Sequence, residues 1–369
     1  LRENDWTGLV RLETGYGKQQ PVSEPVLTPT GWKPIGEVAP GDFVLGADGQ
    51  PTMVTGVYPQ EDDRVFRVTM SDGSWARVGA DHLWKVRTTL QASRGHDWRV
   101  ITTDEISASI HRGWQVPMAA PVEYAPTDTT VDPYLLGVFL GDGYSQGHVR
   151  AICTDIELIR TLDLGTRIKP HPGNDWVGYS TVPKKIWSGC PEGFAGRSWE
   201  KTIPREYLYG TVEQRYALLQ GMLDTDGYPI RGGGVEYSTV SLEMAAQVRE
   251  LVESLGGIAR AGKLRRGFYT HKGEKRSGRL SQRLNIKLPK PFVPFRLQRK
   301  ADKWEPPTKY PVARVIKNIV YEGREQSVCI SVDNPDRLYL TRHHIVTHNT
   351  ATAAWAAQEA GAESVLVVA

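Results

Sequence analysis

From Gln19 onward, much of the chain alternates apolar and polar residues with a period of two. In PVLTPTGWKPIGEVAPGDFVLGADGQP and DRVFRVTMSDGSWARVGADHLWKV, short alternating runs are punctuated by Gly, Pro and Asp-Gly, which predicts β-hairpins. The same texture returns in YPVARVIKNIVYEGREQSVCISVDNPDRLYLTRHHIVTHN. Between these stretches the spacing becomes helical, as in DPYLLGVFLGDGY and EMAAQVRELVESLGGI. The pattern therefore predicts a mainly β domain over residues 19–126 and 308–349, interrupted by an α+β domain over 127–307. Both boundaries fall in Pro-rich stretches, APTDTTVDP and WEPPTKYP. Residues 350–369, TATAAWAAQEAGAESVLVVA, read as an Ala-rich helix, a Gly turn and a buried strand.

Composition narrows the class only a little. Hydrophobic residues make up 40% and charged residues 24%, ordinary values for folded domains. No run approaches eighteen apolar residues and LRENDWTGLV has no long apolar core, so neither a membrane span nor a secretory signal is expected. Cys153, Cys190 and Cys329 cannot all pair and none has C-x-x-C spacing, which fits a reducing compartment better than a disulfide framework or a zinc site. The net charge of +3 says little, but its distribution says more: residues 263–300 hold thirteen Lys or Arg against one Glu. Folded onto one face, that stretch would bind a polyanion.

The two ends of the chain complete one another. Residues 1–18 end in ETGYGK, and Thr350 follows the β texture. Joining Lys18 to Thr350 gives LETGYGKTATAAW, a Gly-rich loop ending in Lys-Thr and entering a helix, which is how a phosphate-cradling loop is built. Leu12 stands where the strict motif needs its first Gly. The joined loop resembles the looser nucleotide-binding motif of helicase-type ATPases, and that resemblance implies that Gly15, Gly17, Lys18 and Thr350 contact nucleotide phosphates after joining.

The segment from Gln19 to Asn349 resembles an intein. The opening VLTPTGWKPIGEVAPGDFVLG, the segment around His82, the strand SVCISVDNPDRLYLT and the ending HN followed by Thr match the splicing blocks of that family in order. The resemblance implies the horseshoe-shaped, all-β Hedgehog/intein fold, with residues 1–18 and 350–369 as host fragments. One departure is decisive. Gln19 stands where an ordinary intein has its first Cys or Ser, and Gln carries no nucleophile. Trp84, Cys329 and Thr347 occupy the three positions that mark the class 3 variant, while Gly79 stands where most members carry Thr.

The class 3 resemblance implies the following chemistry. Cys329 attacks the carbonyl of Lys18, with His82 polarising the bond or donating the proton, and the acyl group then passes to the Thr350 hydroxyl. Asn349 cyclises onto its own carbonyl and breaks the Asn349–Thr350 bond, helped by His348 and supported by Thr347. Lys18 is left joined to Thr350. Trp84 packs either beside the nucleophile or simply in the core. One of His343 and His344 assists Asn349, the other being a polar turn residue.

Inside the interruption, LLGVFLGDGY and LLQGMLDTDGY are each an apolar helix with small residues ending in an acid, Gly and Tyr. Either one alone would be an ordinary buried helix with a Gly cap. The pair resembles the repeated motif of LAGLIDADG homing endonucleases, which implies helices packed through their Gly faces. It also implies divalent metal, expected to be Mg²⁺, held by Asp142 and Asp226 against a scissile phosphate. Asp224 matches a position that does not bind metal. Lys201, in KTIP, is the candidate lysine of that centre, with Lys287 a weaker counterpart.

The expected partners are double-stranded DNA carrying the uninterrupted host gene, bound with strong salt dependence, and the flanking ATPase segments in cis. The chain is expected to act as a monomer, without a membrane, in the cytoplasm of a bacterial host, with a phage gene as the alternative origin. Two other readings stay open. One is a P-loop ATPase carrying an inert insertion; the other, a Hedgehog-like domain that cleaves without ligating, is opposed by the Asn349–Thr350 junction and the restored GYGKT.

Overall fold

The computed structural model describes residues 19–146, 149–187, 196–271, 273–306 and 312–348. Gly15, Gly17, Lys18, Asn349 and Thr350 lie outside the described residues. The chain opens with β1 (Gln20–Pro21), β2 (Pro25–Thr28), β3 (Gly31–Pro34), β4 (Phe43–Leu45), β5 (Pro51–Met70), β6 (Trp75–Gly79), β7 (Leu83–Thr88), β8 (Arg99–Thr102) and β9 (Trp114–Val116). After the central region it returns to β structure at β19 (Arg314–Val332), β20 (Leu338–Thr341) and β21 (Ile345–His348).

Between them lie α1 (Pro133–Asp142), β10 (Gly143–Gln146), β11 (Val149–Asp155), β12 (Lys169–His171) and β13 (Asn174–Thr181). A second run follows: α2 (Val212–Asp226), β14 (Gly227–Ile230), β15 (Gly234–Thr239), α3 (Leu242–Ser254), β16 (Ile258–Ala261), β17 (Arg265–His271) and β18 (Glu274–Lys287).

Two long strands organise the β domain. β5 and β19 pair antiparallel from Ile316 opposite Met70 to Val332 opposite Val54. The register shifts at four places along β19, and each shift bends the ribbon and adds twist. One lies between Tyr321 and Gly323, where Gly323 takes φ +122°, a conformation open to Gly and rarely adopted by other residues. The ribbon belongs to a sheet ordered β4-β5-β19-β9-β7-β8, with β1 added on β19 and β6 on β5; a second sheet runs β21-β20-β2-β3. Apolar faces close onto cores containing Val68, Val78, Trp84 and Ile345 on one side, and Val26, Val44, Ile330 and Tyr339 on the other. The bent ribbon brings the first and last described strands into the same region.

The inserted region builds its core around α1 and α2, with Leu136, Phe139, Leu219 and Met222 fully buried. Both helices begin on a side-chain cap, Asp132 accepting from the Leu135 N–H and Thr211 from the Gln214 N–H. They approach backbone to backbone. A methyl on Gly137 would lie 2.2 Å from the Leu218 carbonyl oxygen, and one on Gly221 would lie 2.2 Å from that of Tyr134. The two glycines thus play the same part for opposite helices. Each helix feeds an antiparallel sheet, β10-β11-β13-β12 after α1 and β14-β15-β18-β16 with β17 on β18 after α2. Part of the basic stretch forms the β17–β18 hairpin, whose Phe268 side chain stands exposed under the Lys275 ammonium.

Candidate active sites

In the β domain, the site begins with register. β1 pairs β19 with Gln20 opposite Val328 and Pro21 opposite Ser327. One further step in that register sets Gln19 opposite Cys329, which is buried, as is Gln19 itself. The Gln19 carbonyl accepts the Gly79 N–H at 2.9 Å, and the Gln19 side-chain amide donates to Asp63. Gly79 has room for this because a β-carbon there would meet the Gln19 side chain at 3.1 Å. The departure at Gly79 and the departure at Gln19 are thereby complementary.

His82 is fully buried, and its Nε2 is hydrogen-bonded with the Thr347 hydroxyl across 265 residues of sequence. The Trp84 ring stands edge-on to the His82 ring with centroids 5.3 Å apart. Its indole N–H donates to Thr103 Oγ1 at 3.0 Å, and the Thr103 hydroxyl and backbone N–H both donate to the His82 carbonyl, at 3.2 and 3.0 Å. Trp84 thus touches His82 and supports it through Thr103, a residue the sequence did not single out. Such an arrangement fixes an imidazole in one orientation.

The two ends of the domain are also tied by Gln20. The buried Tyr339 hydroxyl donates to Gln20 Oε1 at 2.7 Å, and Gln20 Nε2 donates to Thr341 Oγ1 at 3.3 Å. Burial, with Cys329 and Glu24 beside it, pushes the Tyr339 phenol well above its usual pKa. Thr347 and His348 lie on β21, opposite Tyr339 and Leu338 of β20. His343 and His344 form the turn between these strands and face the inserted domain: their Nδ1 atoms lie 3.6 and 4.0 Å from the Glu253 carboxylate of α3. Burial above all depresses the His344 pKa, against the opposing pull of the Glu253 carboxylate.

The second site lies at the paired ends of α1 and α2. Asp142 accepts the Thr154 hydroxyl at 2.6 Å, and burial raises its pKa. The Asp226 residue as a whole is exposed. The protein packed about its carboxyl, together with the Asp142 charge, still pushes its pKa up to about 7. Two carboxylates that disfavour each other's charge suit a divalent cation, and Mg²⁺ commonly takes one or two carboxylates with the remainder from water and phosphate. Among the described residues no group of three or more His, Cys, Asp or Glu forms a closed metal cage.

Lys201 is buried beneath α1 and donates to the carbonyls of Phe139, Leu140, Gly141 and Gly143 at 2.7–3.3 Å. Lys300 does the same for α2, donating to the carbonyls of Leu223, Thr225 and Gly227 at 2.7–3.0 Å. Burial pushes both ammonium groups down to about 8. The counterpart of Lys201 is therefore Lys300; Lys287, the residue expected from sequence, sits on β18 opposite Ile258. Asp224 holds this arrangement in place, its carboxylate accepting the Tyr134 hydroxyl at 2.7 Å and the backbone N–H groups of Arg296 and Leu297. It acts as a structural brace within the second motif.

Comparisons with known proteins bear on both sites. A family model described as a LAGLIDADG-like domain matches residues 213–281, from α2 into the β17–β18 hairpin. The replicative DNA helicase DnaB of Mycobacterium intracellulare is 30% identical over 369 residues, covering 93% of this chain and 60% of that protein. The chain thus spans under two thirds of its relative's length. Among solved structures, the Msm DnaB1 intein splicing domain bound with zinc aligns over 89% of this chain and 99% of its own, at 12% identity and a TM-score of 0.28. I-DmoI in complex with DNA and Mn aligns over 43% of this chain and 89% of its own, at 14% identity and a TM-score of 0.25. Superpositions with TM-scores this low add no weight to the topology already described. The second of the glycine-paired helices thus opens a region that matches a LAGLIDADG-like domain, set within a chain similar over 93% of its length to a replicative DNA helicase DnaB.

Proposed function

We propose that the chain splices itself by the class 3 route, excising residues 19–349 and joining Lys18 to Thr350. The Cys329 thiolate adds to the Lys18 carbonyl; the C–S bond forms, the C–N bond to Gln19 breaks, and the proton supplied through His82 leaves Gln19 as a free amine. Thr350 takes the acyl group from sulfur to oxygen, regenerating the Cys329 thiol. Asn349 Nδ2 then closes on its own carbonyl, forming a succinimide and releasing the Thr350 amine with the help of His348. An oxygen-to-nitrogen acyl shift completes the new peptide bond. What supports this reading above all is the β1–β19 register, with its next step at Gln19 and Cys329, beside a His82 bonded to the strand that leads to the second junction.

We further assign to the inserted domain the cutting of double-stranded DNA that carries the uninterrupted host gene. Asp142 and Asp226 would hold Mg²⁺, which supplies charge stabilisation at the scissile phosphate. Lys201 and Lys300 each bind the carbonyls at the end of one helix and add positive charge beneath the carboxylates. The β17–β18 hairpin contributes phosphate contacts whose strength falls steeply with salt. Excision rebuilds the loop containing Gly15, Gly17, Lys18 and Thr350, so the helicase-type host gains its nucleotide site only after splicing. Mass spectrometry of a precursor with longer host flanks tests this: a ligated host and a free 19–349 segment are expected, and a persistently intact precursor would overturn it.

A further inference from the structure

We propose that Glu253, a carboxylate of the inserted nuclease domain, positions the turn that leads to the C-terminal splice junction, making the insertion a working part of the splicing centre. The inference rests on the splicing reading above and goes beyond it, since nothing in that chemistry requires the inserted domain.

The turn Arg342–His344 joins β20 to β21, the strand that ends at Thr347 and His348. His343 and His344 adopt φ values of +59° and +52°, the left-handed region that residues with a β-carbon enter at a cost. Something must hold them there, and Glu253 is well placed to do so. Its side chain, nearly fully buried on α3, lies 3.6 Å from His343 Nδ1 and 4.0 Å from His344 Nδ1. Arg314 completes the clamp, donating to the His344 carbonyl at 3.0 Å and to Asp72 at 2.9 Å, with its other nitrogen 3.3 Å from Glu253. Arg249 adds a further donor to Glu253 at 2.9 Å.

One turn earlier on α3, Glu250 accepts the Trp32 indole N–H at 2.9 Å, and the Trp32 ring packs edge-on against His344 with centroids 5.1 Å apart. Two acids on one face of α3 thus reach across to the splicing domain. Surfaces between independently folding domains tend to be polar and wet. A buried charge cluster is different, because removing one member leaves the others uncompensated.

The test uses the precursor with longer host flanks, followed by mass at both junctions, with DNA cutting as a control for folding. Glu253→Ala is expected to slow Asn349–Thr350 cleavage by about tenfold or more, since small misplacements at a reacting centre carry penalties of that order. Branched intermediate should accumulate while Lys18–Gln19 cleavage and DNA cutting stay near wild type. Glu253→Gln, which keeps the shape, should fall between the two and serves if the Ala variant aggregates. Glu253→Asp, which keeps the charge, should recover part of the rate, and unchanged DNA cutting separates a displaced turn from a general loss of folding. Normal C-terminal cleavage in Glu253→Ala, or equal slowing of both junctions, would overturn the proposal. A wild-type precursor that leaves both junctions intact would instead overturn the splicing reading beneath it.

Discussion

The two centres of this chain solve opposite problems. The proposed nuclease centre gathers like charges: Asp142 and Asp226 from equivalent helix ends, with Lys201 and Lys300 beneath them. It does so through a repeated local unit, with Gly137 and Gly221 letting the two copies approach. The proposed splicing centre joins His82, Thr347 and Trp84 from strands far apart in sequence, with Cys329 buried on the long strand β19. Charge at a solvent-open site suits metal and phosphate, whereas dry neutral groups suit acyl transfer without water.

That contrast predicts a double dissociation, the largest effect expected. Asp226→Asn should reduce Mg²⁺-dependent DNA cutting by about a thousandfold or more while leaving the excision rate unchanged. Cys329→Ala should do the reverse, blocking cleavage at Lys18–Gln19 and sparing DNA cutting. Parallel gel and mass assays on the same preparations would show whether the centres are as separate as their chemistry implies.

Packing supplies the next effect. Gly137→Ala drives a methyl to 2.2 Å from the Leu218 carbonyl oxygen, an overpacking expected to cost about 3 kcal/mol. Calorimetry should show a lower melting transition for the inserted domain, and the splicing rate should fall only as far as α3 loses its place. Lys300→Ala should then slow DNA cutting by about ten- to a hundredfold, with Lys287→Ala close to wild type; similar losses from both would contradict the pairing of Lys300 with Lys201. Smallest is Thr103→Val, which removes the hydroxyl between Trp84 and the His82 carbonyl. A loss of about 1–2 kcal/mol in positioning should appear as slower N-terminal cleavage with normal C-terminal cleavage.

The sequence made the repeated unit readable because each helix carries its own Gly and acid at the same spacing. The order of the splicing blocks was readable for a similar reason, each block being local. Lys300 was missed because no local pattern marks it: it lies beyond a sheet, and only the fold returns it to the end of α2. Glu253 was hidden differently. In EMAAQVRELVESLGGI it looks like the polar face of an amphipathic helix, and only the packing of two domains turns that face inward. One of His343 and His344 was expected to assist Asn349 and the other to be a polar turn residue; both lie in the turn, and the carboxylate beside them belongs to the other domain. The link from Trp84 through Thr103 was likewise invisible, since hydroxyls in strands rarely announce their partners.

The central claim concerns the sulfur that opens the reaction. A precursor carrying Asn349→Ala and Thr350→Ala should stall with residues 1–18 attached to Cys329 as a thioester. Peptide mapping should then find the added mass on that residue, and hydroxylamine should release the N-terminal segment. Release of the same segment at Lys18–Gln19 from a Cys329→Ala precursor, at the rate of its parent, would contradict the account.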